Sequence, residues 1–215
     1  MNLSLKPSVS VEVVDHPLVA TRLGSLRDKN TTNATFRSSL ADLSTMLIYE
    51  ATRDYPVEET GIETPVAEAS IRTVGRQPLL VPVLRAGLGM AEAAFRLFPD
   101  AQMGFVGLAR NEETHAPASY LESLPANIGD QPVFVLDPML ATGGSANRCL
   151  EVLAGRGATE VTLVCVLASP EGIEALGVDG VSLKLVTASI DDKLNEDAYI
   201  VPGLGDAGDR QFGAV

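Results

Sequence analysis

The residues best equipped for chemistry lie in one stretch, Val133-Phe134-Val135-Leu136-Asp137-Pro138-Met139-Leu140-Ala141-Thr142-Gly143-Gly144-Ser145. Its four leading apolar residues read as a buried strand that ends in an acid. The small residues Ala141–Ser145 read as a loop opening onto a helix. Consecutive backbone N–H groups at a helix start, with the helix dipole behind them, make a nest for a phosphate. Thr142 and Ser145 add hydroxyl donors, while Gly143 and Gly144 admit positive φ and close approach of the backbone. The spacing is neither a Walker A loop, which needs a Lys before its last Ser or Thr, nor G-x-G-x-x-G. The bland alternative is an ordinary glycine-bearing strand–helix turn. The coincidence of acid, hydroxyls and glycines after a strand favours the anion site.

Three other residues invite the same question. Arg85 follows the apolar run Leu79–Leu84, where a charge needs an anionic partner, either a ligand or a structural acid. Arg110 opens a polar stretch, 110–131, with no clear period, and a loop of that length in a compact domain is often functional. Taken alone, Arg110 reads as a surface charge and Glu112-Glu113 as a solvated run. Asp206 lies in a glycine-rich tail, where a Gly-Asp pair alone reads as a turn. His16 and His115 lack metal-ligand spacing with Cys149 and Cys165, which argues against zinc. The two cysteines sit in separate apolar segments and read as reduced, buried thiols rather than as a disulfide.

The elements that must position these residues follow a pattern. Residues 34–54 read as an amphipathic helix, with Phe36, Leu40, Leu43, Leu47 and Ala51 on one face. Beyond it, short apolar runs at Leu79–Leu84, Met103–Ala109, Val133–Leu136, Val161–Ala168 and Leu183–Ala188 alternate with helical stretches. Val9–Val14 could add a further strand. Such alternation signals βαβ units and a parallel sheet buried on both faces. In these sheets ligands bind at the carboxyl ends of the strands, where Arg85 and Asp137 both fall. Residues 191–213 look too glycine-rich for a helix.

Composition narrows the function classes. The 215 residues suit one domain and are 46% hydrophobic and 20% charged, which excludes disorder. The net charge of −12 disfavours a nucleic-acid surface, and the absence of Trp disfavours base-stacking platforms. No leader-like or membrane-spanning run is evident, so a cytoplasmic protein is expected.

The thirteen-residue segment resembles the signature of the type I phosphoribosyltransferases, which bind 5-phosphoribosyl-1-pyrophosphate (PRPP). Its second acid is replaced by Pro138, which leaves Asp137 alone to hold the ribose hydroxyls. That form, Asp-Pro-Met-Leu-Ala-Thr-Gly-Gly-Ser, is similar to the uracil-using branch. Leu84-Arg85-Ala86-Gly87-Leu88-Gly89-Met90 resembles that branch's pyrophosphate loop, and Arg110-Asn111-Glu112-Glu113-Thr114 the start of its flexible loop. Tyr199-Ile200-Val201-Pro202-Gly203-Leu204-Gly205-Asp206-Ala207-Gly208-Asp209 resembles its uracil-binding hood. The resemblance runs from about His16 to Gly213 and is weakest over residues 1–8 and 113–124.

The resemblance implies an α/β fold with a central, mostly parallel sheet flanked by helices and a small hood. It implies one domain over residues 1–215, with the hood built mainly from 190–213 together with N-terminal and 60–75 elements. PRPP would be held by Arg85, Ala86, Gly87, Arg110, Asp137 through Ser145 (Pro138, Met139, Leu140, Ala141, Thr142, Gly143 and Gly144 included) and Asp206. Uracil would be held by Tyr199, Ile200, Gly205, Asp206 and Ala207. Asp137, Arg110 and Asp206 would serve catalysis, with Mg²⁺ held mainly through PRPP and Asp206 reaching it through water. A homo-oligomer is implied, with GTP a candidate effector as in some relatives. Three rivals stand beside this reading: a basic-faced RNA-binding regulator on the same fold, a purine or orotate enzyme with a different hood, and a nucleotide-binding oxidoreductase. The acidic charge opposes the first and missing fingerprint glycines oppose the last.

Overall fold

The computed structural model describes residues 3, 5–110 and 117–214, side chains at 109, 110, 117 and 118 excepted. In chain order the elements are β1 (Val9–Val13), α1 (Pro17–Arg27), α2 (Asn33–Ala51), β2 (Val57–Glu63), β3 (Glu68–Val74), β4 (Leu79–Leu84) and α3 (Leu88–Leu97). There follow β5 (Gln102–Met103), β6 (Phe105–Arg110), β7 (Pro117–Ser123), β8 (Val133–Leu136), β9 (Met139–Leu140) and α4 (Gly144–Ala154). The chain closes with β10 (Glu160–Ala168), α5 (Pro170–Ala175), β11 (Ser182–Ile190), β12 (Lys193–Leu194), β13 (Ile200–Val201) and α6 (Ala207–Phe212).

The main sheet runs β1-β11-β10-β8-β4-β6-β7, with β5 beside β4 and β9 beside β10. Its pairs are parallel except β6 with β7. Side chains alternate across a strand, and this sheet is covered on both sides. Leu79, Val81, Val83, Val133, Val135, Leu163 and Cys165 face a core shared with α4 and α5. Leu80, Phe134, Leu136, Val164 and Val166 face the opposite core, shared with α1, α2 and α3. The continuous apolar runs are therefore strands buried on both faces. Both cysteines are free and buried.

Two segments differ from expectation. Residues 117–123, read as loop, form β7 against β6. Its side chains face water at Tyr120 and Leu121, and the register shifts between Gly107 and Leu108, so no simple alternation marks the strand. The tail is not too glycine-rich for a helix: α6 forms because the Asp206 carboxylate caps it, accepting from the Asp209 N–H at 2.8 Å. Residues 57–74 form an exposed antiparallel hairpin, β2–β3. Among the described residues no helix is long and apolar enough to cross a membrane.

Candidate active site

Adjacent strands β4 and β8 send their following helices to opposite faces of the sheet: α3 packs in one core and α4 in the other. Such a divergence opens a crevice at the strands' carboxyl ends. A cleft of about 370 Å³ lies there, walled by the ends of β4 and β8, residues 139–146, residues 197–200 and residues 205–208.

On one wall, β8 stops at Leu136 because the ladder to β10 is interrupted. The Pro138 carbonyl takes both the Val166 and Leu167 N–H groups, at 3.0 and 3.1 Å, before pairing resumes at Met139. This break leaves Asp137 facing the cleft. Its carboxyl, though partly accessible, is surrounded by protein. Burial pushes its pKa up to about 7, against the pull of the Met139 N–H at 3.4 Å and with a further push from the Asp206 charge. Pro138 itself is buried and off the wall.

The loop beyond is braced from below. The Ser169 hydroxyl donates to the Ala141 carbonyl at 2.6 Å and accepts from the Gly172 N–H at 2.9 Å. Gly143 caps α4 at φ 78°, where its missing side chain spares a contact of 3.0 Å with the Gly172 carbonyl. The first N–H groups of α4 have no partner within the helix. With Thr142 and Ser145 they open onto the cleft, an anion nest in form.

On the next wall, β4 turns through Arg85 and Ala86 into α3. Gly87 does not line the cleft: its N–H donates to the Val83 carbonyl at 2.9 Å. Glycine is required because a Cβ would collide with the Leu136 carbonyl and lie 2.8 Å from the Val83 nitrogen. The Arg85 guanidinium is about half exposed and lies 3.7 Å from the Asp209 carboxylate, a weak, screened contact that an anion could displace. Arg110 ends β6, and its side chain lies outside the described residues, as do Asn111 through Thr114.

The third wall is the hood. Asn195 folds residues 195–199 into a turn, its Oδ1 accepting from the N–H groups of Asp197 and Tyr199 at 3.1 and 2.8 Å. Ile200, Gly205, Asp206 and Ala207 line the cleft, as does Tyr199, which is half exposed. Asp206 spends one oxygen capping α6. The Arg210 guanidinium anchors this wall to the carbonyls of Leu26, Leu204 and Asp28 at 2.6–2.9 Å and stacks over Phe36. The hairpin β2–β3 contributes nothing to the lining.

The structure thus gathers Arg85, Ala86, Asp137, Met139 through Ser145, Tyr199, Ile200, Gly205, Asp206 and Ala207 around one space. Sequence reasoning missed Asp197 and Ala198 on the wall, along with the apolar Val83, Leu108 and Ala146. Ala198 adopts φ 62°, a backbone state for which alanine gives no signal. Among the described charged side chains of the lining, the three acids Asp137, Asp197 and Asp206 are accompanied by Arg85 alone, so an anionic ligand needs added positive charge. No group of three or more His, Cys, Asp or Glu converges among the described residues. The lining carboxylates Asp137 and Asp206 fit a cation that keeps most of its own water ligands, as Mg²⁺ does.

The family model for uracil phosphoribosyltransferase matches residues 13–214. A uracil phosphoribosyltransferase of Corynebacterium efficiens is 54% identical over 205 residues, 95% of this chain and 97% of that one. One from Corynebacterium diphtheriae is 52% identical over the same shares. Among solved structures, a protein from Aquifex aeolicus superposes with a TM-score of 0.88 at 35% identity, over 95% of this chain and 99% of that chain.

Proposed function

The chain belongs to the uracil phosphoribosyltransferase family, and from that premise we propose that it transfers the phosphoribosyl group of PRPP to uracil, in pyrimidine salvage. N1 of uracil bonds to C1 of the ribose, the bond from C1 to the diphosphate oxygen breaks, and the N1 proton passes to solvent. The products are UMP and diphosphate. The observation that carries the reading is the junction of three walls at one crevice: the nest at the start of α4, Asp137 at the end of β8, and the main chain of the hood.

In this reading the 5-phosphate sits in the nest of Ala141–Ser145, and the Asp137 carboxylate accepts from the ribose hydroxyls. Arg85 exchanges Asp209 for the diphosphate, with Ala86 beside it and Arg110 as a second cation for that group. Pro138 and Gly87 serve from behind the wall, one by aiming Asp137, the other by letting the β4 turn pack under β8. Asp206 would hold Mg²⁺ through water, and the ion would supply charge neutralisation for the leaving group. The ribose passes through an oxocarbenium-like state, so positioning and electrostatics do the catalytic work. Neither cysteine competes as a nucleophile: burial holds the Cys149 thiol far above its usual range and Cys165 at about 12.

The hood reads uracil with main chain. Backbone groups at Ile200, Gly205 and Ala207 offer donors to the carbonyls and an acceptor to N3–H, with Tyr199 against the ring. Cytosine presents the reverse pattern at that edge and is rejected. A panel of uracil, cytosine, orotate, adenine and hypoxanthine, each with PRPP and Mg²⁺, tests this: turnover with uracil alone supports it, and preference for a purine or orotate contradicts it. The proposal extends to a cytoplasmic homo-oligomer with GTP as effector, tested by light scattering and by rates with and without GTP.

A further inference from the structure

We propose that Gln211 is a positioning residue that sets the spacing between the Arg85–Gly87 turn and the hood, and thereby the affinity for PRPP. The inference rests on the reading of the cleft given above. Gln211 lies in the last turn of α6 and is wholly buried. Its Nε2 donates to the Ala86 carbonyl at 2.9 Å and to the Ala207 carbonyl at 2.8 Å. Ala86 belongs to one wall of the cleft and Ala207 to another. One amide therefore spans both walls from behind. Its own backbone carbonyl accepts from Arg37 at 2.6 Å, which holds the residue to α2.

The other end of the same side chain carries no such bond. Gln211 Oε1 is buried without a hydrogen-bond partner and lies against Gly89, where a Cβ would collide with it. An unpaired buried amide oxygen costs free energy, a cost this side chain bears while its nitrogen satisfies the Ala86 carbonyl. What only the amide supplies is two donors aimed at two walls. Fixing the Ala86 carbonyl fixes the Ala86–Gly87 peptide plane, and with it the turn from which Arg85 projects.

Three full-length variants test this by steady-state kinetics, beside calorimetric titration with PRPP. Gln211→Met keeps the length and removes both donors. It should raise KM for PRPP about tenfold with kcat within about threefold, the pattern of lost ground-state binding. Gln211→Glu has one proton to donate when neutral and none when ionised. Its KM relative to wild type should climb with pH as the buried carboxyl ionises, while the ratio for the Met variant stays flat. Gly89→Ala pushes the amide aside from the opposite element. It should raise KM alike, and combining it with Gln211→Met should add little further.

If Gln211→Met does not fold, the Glu and Gly89→Ala variants decide. An active wild type whose folded variants keep the PRPP KM within about twofold overturns this inference alone. A wild type that neither forms UMP nor binds PRPP overturns the reading of the cleft and this inference with it.

Discussion

The Arg27 guanidinium grips the Asp191 carboxylate through two parallel bonds, 2.7 and 2.6 Å long, and so ties the end of α1 to the end of β11. The same two residues hold Gly203, whose carbonyl accepts from Arg27 at 3.0 Å and whose N–H donates to Asp191 at 2.9 Å. The hood is thereby locked to the amino-terminal part of the chain. Burial alone would push Asp191 up, yet Arg27, the Gly203 N–H and the Ser189 hydroxyl hold it below the ordinary carboxylate range.

Removing the buried Asp191 leaves the partly exposed Arg27 guanidinium without its carboxylate. Asp191→Ala should cost about 3 kcal/mol at pH 7, measured by urea denaturation. Because the folded pKa is depressed, the stabilisation is present above the unfolded pKa and disappears as pH falls through the lower folded value. The gap between wild type and variant should therefore begin to close as pH falls below about 4. A gap that does not narrow on acidification would contradict the assignment.

Asp137 has the opposite sign. Its folded pKa is raised to about 7, so the protonated form favours the fold and stability declines as pH rises from the unfolded pKa toward 7. Asp137→Asn should be more stable than wild type at pH 8 and indistinguishable near pH 4, by thermal denaturation. If the ionised carboxylate holds the ribose, wild-type kcat/KM for PRPP should rise with pH through about 7. The Asn variant should lose that inflection and about 100-fold or more of turnover. Variant rates within about twofold of wild type would remove Asp137 from the mechanism.

Ala198 holds φ 62° in the turn that Asn195 organises. L-residues are strained there by about 1–2 kcal/mol, and glycine's greater freedom in the unfolded chain returns part of that. Ala198→Gly should stabilise the protein by about 0.5–1 kcal/mol in a denaturant titration. Destabilisation would show that the Ala198 methyl packs usefully in the cleft.

The scaffold was legible where burial on both faces left an unbroken apolar run, as at Leu79–Leu84 and Val161–Ala168. It was opaque where both faces meet water, as in β2–β3 and β7, because no burial pattern is imposed there. The helix α6 hid behind Gly208, since its start depends on the Asp206 cap rather than on propensity. Of the site, the residues around Asp137 were legible because acid, hydroxyls and glycines coincide after a strand. Tyr199 through Ala207 were reached through family resemblance. The supports, Arg27, Asp191, Arg210 and Gln211, were not legible at all: each acts on backbone or a partner distant in sequence, which no local spacing records.

The most direct test is to incubate the purified protein with uracil, PRPP and Mg²⁺ and follow products by chromatography and phosphorus NMR. UMP and diphosphate should form in equal amounts, dependent on both substrates. Absence of UMP from a folded protein across pH 6–9 would contradict the proposed reaction.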